Sequence, residues 1–412
     1  MILLKPYCQT FDSIPEVSTG FGKKTTRDYY FVGKEKNLYT EALPVKNFSA
    51  LVEPEKTYAI KVEIKATEDV PLLYLFSSKR HLEAICSLRK GETYRETIYT
   101  SLTETIPFES DSCFKHDRLF VSYCTKFPEH IQIRCTAETT QLPRFFLCGD
   151  STVADQVAAI PYIAPLSHSS WGQSLSLFLA NAIAIDNQAT SGNTTESFRL
   201  QGHFDIVKRY IRPNEFCLLQ FGHNDQKMPH LLPHREYGKN IINYLNELKQ
   251  LGAQPILVTP LGRNLWDTHG NYLDLLIEYA DMLKKIGKQF GVPVIDLHQH
   301  SVNLWKTFGS LRSTDYFPKE DYTHTNEFGS YLMAEKIAEA LAELFPTIFT
   351  KRKVQTFNPP NNLWSSYLKN TNRFEGNSSS SSLHQMENKV ESLVNTILQV
   401  KSKDTIHRKD AK

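Results

Sequence analysis

The sequence predicts an α/β protein in which a β-sandwich of jelly-roll type precedes a domain built on a mostly parallel sheet. Between residues 27 and 138, apolar and polar residues alternate in short runs such as 58–64 and 131–135, which is typical of half-buried strands. From Phe145 onward, short apolar runs are followed by helical patterns, as in βα units. The predicted boundaries are therefore 1–140 for the sandwich and 141–350 for the parallel-sheet domain.

Five strands and three helices are predicted in the second domain. The strands are expected at 145–148, 182–186, 215–221, 256–260 and 294–297. The helices are expected to include one that carries Ile241, Leu245 and Leu248 on one face and has Gly252 as its C-terminal cap, one at 273–290 that ends at Gly291, and one at 326–344.

The remaining segment, 351–412, is expected to be a linker and a helical tail. Pro359, Pro360 and the serine tract at 378–382 indicate the linker. A narrow apolar seam follows, with residues spaced by four and three: Met386, Val390, Leu393, Ile397 and Val400. A helix of about two heptads is only marginally stable alone. The seam therefore fits either a homodimer zipper or a helix that docks on its own domain.

Charge and hydropathy argue against two classes of partner. The formal net charge is +2, and the basic residues form no dense stripe of the kind that nucleic acid requires. The opening residues contain no apolar h-region, and no stretch reaches the ~18–20 apolar residues of a membrane span. We therefore expect neither a nucleic-acid nor a membrane partner, and a cytoplasmic location. The seven cysteines form no C-x-x-C pair or zinc-ligand spacing, which favours reduced, buried thiols.

A serine lies at the end of the first predicted parallel strand. Gly149, Asp150, Ser151 and Thr152 follow that strand, where a helix is expected to begin. The carboxyl ends of parallel strands are where α/β sheets place their sites, and a hydroxyl there lies near exposed backbone amides. Ser151 is thus a candidate nucleophile. A simple helix N-cap would explain the same residues.

An acidic residue and a histidine stand three positions apart before the last predicted helix. In one turn, the Asp321 carboxylate can accept from one imidazole nitrogen of His324, and the other nitrogen can take the Ser151 proton. A serine hydroxyl needs such a base at neutral pH. Helix capping by Asp321 and Asn326 is the competing interpretation.

A third group of polar residues is expected at the same sheet edge. Asn224 lies in the run 222–225 after the third predicted strand, and Gly192 lies in the loop after the second. Together with the Ser151 amide, they could provide three hydrogen-bond donors for a developing oxyanion. A turn at Gly222 and Asn224 would also fit, but it does not explain why all these residues share one edge.

These segments resemble the SGNH (GDSL-type) hydrolase superfamily and, within it, the rhamnogalacturonan acetylesterases. The matching blocks are Gly149-Asp150-Ser151-Thr152-Val153, Trp171-Gly172-Gln173, Gly192, Phe221-Gly222-His223-Asn224-Asp225-Gln226-Lys227 and Asp321-Tyr322-Thr323-His324. The resemblance implies a three-layer α/β/α (flavodoxin-like) domain and an acyl-enzyme mechanism without a metal or other cofactor. By position it implies Ser151 as the nucleophile, His324 as the base with Asp321 as its partner, and an oxyanion hole of Ser151, Gly192 and Asn224.

The same resemblance implies a serine acetylesterase that acts on pectin-derived, rhamnogalacturonan-type oligosaccharides. One departure is Asn193, because relatives commonly carry a basic residue directly after the glycine that corresponds to Gly192. An acetyl group is favoured over a long acyl chain, since no extended apolar lid or lipid-docking helix precedes Phe345. The segment 72–100 is similar to the β-sandwich of some bacterial members, which implies a carbohydrate-contacting or structural module.

Three alternatives stay open. The chain could be an SGNH esterase or lipase for other acyl esters, or a carbohydrate-binding protein without catalysis. It could also be a metal-dependent phosphoesterase. The ligands of such an enzyme would come from Asp150, His223, Asp225, Asp321 and His324. In the segment that corresponds to 221–227, those enzymes favour Asn before His, whereas here His223 precedes Asn224.

Overall fold

The computed structural model describes residues 7–10, 43–77, 81–104, 106, 118–156, 167–180, 182–319, 321–352 and 354. Within these ranges, thirteen strands form two sheets. The strands are β1 (Tyr7–Thr10), β2 (Leu43–Leu51), β3 (Thr57–Ala66), β4 (Val70–Ser77), β5 (His81–Leu88), β6 (Thr93–Thr100), β7 (Arg118–Thr125), β8 (Ile131–Thr140), β9 (Arg144–Gly149), β10 (Ala184–Asn187), β11 (Phe216–Gln220), β12 (Gln254–Val258) and β13 (Val294–Ile295). The α-helices are α1 (Trp171–Ser174), α2 (Ser197–Leu200), α3 (His203–Tyr210), α4 (Gly238–Gln250), α5 (Ile277–Phe290), α6 (Leu297–Ser313) and α7 (Glu327–Leu344).

The larger sheet contains nine strands in the order β1-β8-β3-β6-β10-β9-β11-β12-β13. Strands β9 to β13 pair in parallel, whereas β1, β8, β3 and β6 pair antiparallel. One parallel residue pair, Ile185 with Thr100, joins the two halves. Each predicted parallel strand matches an observed one to within two residues at either end. The mixed α/β class with a largely parallel sheet is therefore confirmed.

The parallel half is buried on both faces. Alternate side chains of β9 enter different apolar cores, with Phe145 and Leu147 on one side and Phe146 and Cys148 on the other. Helix α7 contributes to the first core, and α4 and α5 contribute to the second. Because both faces are covered, the parallel strands are nearly continuous apolar runs, and this is why their positions could be predicted.

The smaller sheet is antiparallel, in the order β2-β7-β4-β5. Its side chains share an apolar core with the antiparallel half of the larger sheet, as Leu75 and Val121 do with Ile60 and Ile133. A separate β-sandwich domain is not confirmed, because one of these two layers continues into the parallel sheet. The jelly-roll connectivity and the domain boundaries stay predictions.

The helix ends follow the expected chemistry. Gly252 and Gly291 adopt left-handed backbone conformations (φ of 74° and 61°) just after α4 and α5. The Asn326 side chain caps α7 by accepting from Phe328 N at 3.0 Å and Gly329 N at 3.2 Å. Helix α5 begins at Ile277, four residues later than predicted. The proposed linker and apolar seam lie outside the described residues.

Candidate active site

Ser151 lies in a tight turn directly after β9. The amides of Val153 and Ala154 both donate to the Asp150 carbonyl at 3.0 Å. The Asp150 carboxylate accepts from Thr152 N at 2.9 Å and from Thr152 Oγ1 at 2.8 Å. The prediction that a helix begins here is wrong, because residues 150–154 form this turn. The Thr152 amide therefore donates to Asp150 and not to Ser151. The Ser151 hydroxyl remains available for other partners.

The predicted nucleophile, base and acid lie in hydrogen-bonding order. Ser151 Oγ is 2.8 Å from His324 Nε2, and His324 Nδ1 is 2.8 Å from Asp321 Oδ2. The other carboxylate oxygen, Asp321 Oδ1, accepts from the amides of Thr323 at 2.8 Å and His324 at 2.9 Å. Asp321 therefore orients the imidazole, and the capping role at α7 belongs to Asn326.

Asp321 is held as a carboxylate. Burial raises the pKa of Asp321, but hydrogen bonds from His168 and His324, together with the charge of His324, outweigh burial. The pKa of Asp321 is consequently well below its usual range. An ionised Asp321 can stabilise the imidazolium that forms when His324 takes a proton.

The predicted oxyanion donors come from three neighbouring segments. Thr190 N donates to the Gly149 carbonyl at 3.1 Å, which holds the Gly192 loop against the end of β9. Asn224 Nδ2 donates to the Asn193 carbonyl at 3.0 Å, directly beyond Gly192. Among the described residues, no acceptor takes the backbone amide of Ser151 or of Gly192. A bound oxygen could therefore accept from the amides of Ser151 and Gly192. It could also accept the second hydrogen of the Asn224 side-chain amide.

Two glycines, Gly149 and Gly192, allow these segments to lie close together. A Cβ atom at Gly149 would lie 2.7 Å from the Gln220 carbonyl oxygen, so β9 and β11 could not end so close together with a larger residue. Gly192 has a φ of 82°, a conformation that other residues rarely adopt.

Arg263 connects the segment 221–227 with the segment 321–324. Its role was not predicted from the sequence. Its guanidinium donates to the His223 carbonyl at 2.9 Å, to Gln226 Oε1 at 3.0 Å and to Thr323 Oγ1. Burial lowers the pKa of Arg263 to about 10, so it stays a cation near neutral pH. A basic residue shortly after a predicted parallel strand was the available signal, since β12 ends at Val258.

His168 was also missed. Its Nε2 lies 3.1 Å from Asp321 Oδ2, and its ring meets the His324 ring edge-on, with 5.4 Å between the centroids. The side chain is 46% exposed. No spacing or periodicity marked this residue, because it reaches the site from a segment far from residue 321 in sequence.

The five residues proposed as ligands of a metal-dependent phosphoesterase form no single cluster among the described residues. Asp150 Oδ2 lies 3.3 Å from His223 Nδ1, and His324 pairs separately with Asp321. Asp150 is engaged by Thr152, and the His223 ring bonds to the Leu261 carbonyl at 2.8 Å. Asp225 accepts from Thr195 N at 2.9 Å and Thr195 Oγ1 at 2.6 Å. In the described part of the chain, the one group of His, Cys, Asp or Glu side chains able to share an ion is His168, Asp321 and His324.

Comparison with known proteins agrees with this arrangement. Residues 145–337 match the family model for the GDSL-like Lipase/Acylhydrolase family. The chain is 32% identical over 212 residues to rhamnogalacturonan acetylesterase RhgT of Bacillus subtilis (strain 168), covering 48% of this chain and 89% of that protein. It is 28% identical over 207 residues to the probable rhamnogalacturonan acetylesterase YesY of the same strain, covering 48% and 92%.

A third relative is the uncharacterized esterase YxiM of the same strain, 25% identical over 201 residues, with 48% of this chain and 51% of that protein covered. The RhgT match covers nearly the whole of a relative that is more than 30% identical. The family-model match, 145–337, includes the blocks that carry the resemblance. The chain therefore belongs to the SGNH (GDSL-type) hydrolases and is a serine ester hydrolase similar to the rhamnogalacturonan acetylesterases.

Proposed function

We propose that this protein is a carbohydrate O-acetylesterase that removes acetyl groups from pectin-derived, rhamnogalacturonan-type saccharides through a serine acyl-enzyme. The observation that carries the proposal is the hydrogen-bonded series Ser151, His324 and Asp321 beside two backbone amides that donate to no described residue. The names of the relatives RhgT and YesY support the acetyl and rhamnogalacturonan parts of the proposal.

The first half of the reaction forms the acyl-enzyme. Ser151 Oγ attacks the ester carbonyl carbon while His324 Nε2 takes its proton, and the Asp321 carboxylate stabilises the resulting imidazolium. The carbonyl oxygen becomes an oxyanion that accepts from the amides of Ser151 and Gly192 and from Asn224 Nδ2. The tetrahedral intermediate collapses when the imidazolium protonates the departing sugar oxygen, which leaves acetyl on Ser151.

The second half releases acetate. His324 takes a proton from a water molecule, whose oxygen attacks the acetyl carbon, and the same three donors hold the second oxyanion. Collapse returns the proton to Ser151 Oγ. Each half therefore uses the imidazole once as a base and once as an acid.

The side chains beside the triad favour a sugar over a long acyl chain. His168, Asn193, Asn224 and Lys227 are all polar, and Lys227 Nζ donates to Asn224 Oδ1 at 3.0 Å. The Lys227 ammonium also supplies a cation beside the site, although Asn193 stands where relatives commonly carry a basic residue. A uronate-containing saccharide would find a favourable charge there.

Acetate release from a panel of esters tests the proposal. The panel contains acetylated rhamnogalacturonan oligosaccharides, acetylated xylooligosaccharides and nitrophenyl esters of acetate and of a long fatty acid. We expect the highest kcat/KM on the rhamnogalacturonan substrates and no turnover by Ser151→Ala. Faster cleavage of the long acyl ester would instead support a lipase, and preference for the xylan substrate would move the proposal to another sugar.

Two further parts of the proposal concern the whole protein. We propose a cytoplasmic location and pairing of two chains through the apolar seam at 386–400. None of the helices in the described ranges is long and apolar enough to span a bilayer. Cell fractionation tests the location, and light scattering of the full chain against a chain ending at residue 354 tests the dimer. Recovery of the native protein outside the cell, or an unchanged mass per particle after truncation, would contradict these two parts.

The N-terminal strands are proposed as a carbohydrate-contacting or structural module. Tyr74 is buried and so offers no exposed platform for a sugar. Tyr29 and Tyr30 lie outside the described residues. Measurement of oligosaccharide binding by Ser151→Ala, with and without residues 1–140, distinguishes the two roles if the shortened chain remains folded.

A further inference from the structure

One oxygen of the catalytic carboxylate faces two imidazoles. Asp321 Oδ2 lies 2.8 Å from His324 Nδ1 and 3.1 Å from His168 Nε2. These three atoms all lie within 4.8 Å of one another. The other oxygen, Oδ1, is fixed by two backbone amides, so the carboxylate plane is held with Oδ2 directed at both rings.

We propose that His168, Asp321 and His324 form a binding site for Zn²⁺ and that the bound ion reversibly inhibits the esterase. Two imidazole nitrogens and one carboxylate oxygen are ligand types that zinc binds, at about 2.0–2.2 Å. Such bond lengths place the ligand atoms of a tetrahedral ion roughly 3.3 Å apart. The two contacts of Asp321 Oδ2, at 2.8 and 3.1 Å, need to widen only slightly. The 46% exposure of the His168 side chain leaves room for a water molecule as the fourth ligand.

The inhibition follows from the position of one proton. A neutral imidazole carries a single N–H, and in the resting site that proton belongs on His324 Nδ1, between the ring and Asp321. An ion bound at Nδ1 forces the proton onto Nε2, which faces Ser151 Oγ at 2.8 Å. Nε2 can then no longer accept the serine proton. Zinc binding and base catalysis therefore exclude each other, and this step rests on the proposed role of His324.

Binding to two neutral rings requires no net loss of protons. When both rings are neutral, each keeps one hydrogen on the nitrogen that faces away from the ion, so Zn²⁺ enters without net proton release. The ion contributes two positive charges, and the Asp321 carboxylate neutralises one of them. Mg²⁺ prefers octahedral oxygen ligands and keeps its water, so it should not compete for this site.

In the ranges that the structure describes, no other histidine–carboxylate pair has a second imidazole as a third ligand. His230 Nε2 lies 2.9 Å from Glu196 Oε2, and this pair is also exposed. In the described part of the chain, the Glu196 pair belongs to no three-ligand group. His230 is therefore a matched control for the loss of one exposed histidine.

Zinc binding is measured first in the Ser151→Ala protein, by competition with a chromogenic zinc chelator. This measurement needs no turnover, so its outcome is independent of the proposed function. We expect saturable binding of one Zn²⁺ per chain. His168→Ala and His168→Gln, each added to Ser151→Ala, should weaken binding by about tenfold or more. The glutamine variant can still donate a hydrogen bond to Asp321, and it guards against loss through misfolding. His230→Ala should bind as the parent does.

Inhibition is measured next in the protein with Ser151 intact, by nitrophenyl acetate hydrolysis at buffered free Zn²⁺. We expect activity to fall to zero at saturation, to return when a chelator is added and to be unaffected by millimolar Mg²⁺. The concentration that halves activity should rise about tenfold in His168→Gln and stay unchanged in His230→Ala. The absence of saturable binding by the Ser151→Ala protein would overturn the proposal, and so would an equal zinc sensitivity of the His168 and His230 variants.

Discussion

Two regions of the molecule each hold a serine, a histidine and an aspartate in hydrogen-bonding order. At the carboxyl edge of the parallel sheet, Ser151 Oγ and Asp321 Oδ2 each lie 2.8 Å from the His324 ring. At the contact between β5 and the catalytic region, His81 Nε2 lies 2.8 Å from Ser176 Oγ, and His81 Nδ1 lies 3.1 Å from Asp155 Oδ1. By distance alone the two groups are alike.

They differ first in the electrostatic surroundings of the second histidine, His81. Burial lowers the pKa of His81, but the charge of Asp155 and its hydrogen bond outweigh burial, so the pKa of His81 is raised above its ordinary value. The raised pKa favours the doubly protonated ring, which donates to Ser176 and cannot take a proton from it. Ser176 also hydrogen-bonds to the buried Glu83 side chain. The second group is therefore a structural connection and not a second active site.

They differ as well in their surroundings. Ser151 lies in a turn next to amides without acceptors, whereas Ser176 lies within the helical segment Leu175–Phe178, packed against β5. Asp155 is further tied to Asn187 Nδ2 at 2.9 Å. The comparison shows that hydrogen-bonding order does not define a nucleophile. A free imidazole nitrogen and donors for the oxyanion are also required.

The largest expected effect separates the two serines. Ser151→Ala should lower kcat by at least about 10⁴-fold, because the acyl-enzyme cannot form. Ser176→Ala, the matched control, should leave kcat within about threefold, since it removes only a structural hydrogen bond. Steady-state hydrolysis of nitrophenyl acetate measures both. A loss in Ser176→Ala as large as in Ser151→Ala would break the comparison.

The next effect concerns the oxyanion donors that only the first region has. Asn224→Ala should lower kcat by about 10²–10³-fold with little change in KM, because the amide contact strengthens in the transition state. Asn187→Ala is the control, since the Asn187 amide holds Asp155 and the Val153 carbonyl and reaches no oxyanion. A rise in KM with unchanged kcat in Asn224→Ala would assign Asn224 to substrate binding.

The third effect is on stability. His81→Ala leaves the Asp155 carboxylate without its imidazole, which should lower the free energy of unfolding by about 3 kcal/mol while kcat changes little. The raised pKa of His81 fixes the pH dependence. Its stabilisation is fully present below the unfolded pKa of about 6.5 and is lost as pH rises through the raised folded pKa. Urea unfolding of both proteins at several pH values checks this, and a difference that grows at high pH would contradict it.

The smallest effect involves Asp225, which lies next to the proposed donor Asn224. Burial raises the pKa of Asp225 to about 7, although Thr195 donates two hydrogen bonds to it. The raised pKa means that its stabilising contribution is present below pH about 4 and is lost as pH rises through about 7. Asp225→Asn should therefore be less sensitive to pH than the parent between pH 5 and 8. Parallel stability curves for the two proteins would refute this assignment.

Much of the site was readable from sequence because its parts are local. The runs that became β9 to β13 are buried on both faces, so simple hydrophobicity located them. Asp321 and His324 lie in one turn, and Asp150 to Thr152 directly follow a strand. Family resemblance then assigned roles that spacing alone left open.

The remaining features depend on contacts between distant segments. His81 meets Asp155, and His168 meets Asp321, across separations that no periodicity reveals. Residues 150–154 form a turn where a helix was expected to begin, although the Asp150 side chain accepts from the Thr152 amide as a helix cap does. The sandwich was not identified as part of a larger sheet because a single pair, Thr100 with Ile185, makes the connection.

Covalent labelling tests most directly whether Ser151 is the nucleophile. The full chain is treated with a fluorophosphonate, digested and mapped by mass spectrometry, with Ser151→Ala and Ser176→Ala in parallel. We expect one adduct per chain, on Ser151, formed equally by Ser176→Ala and absent from Ser151→Ala. An adduct on Ser176, or esterase activity that persists in Ser151→Ala, would contradict it.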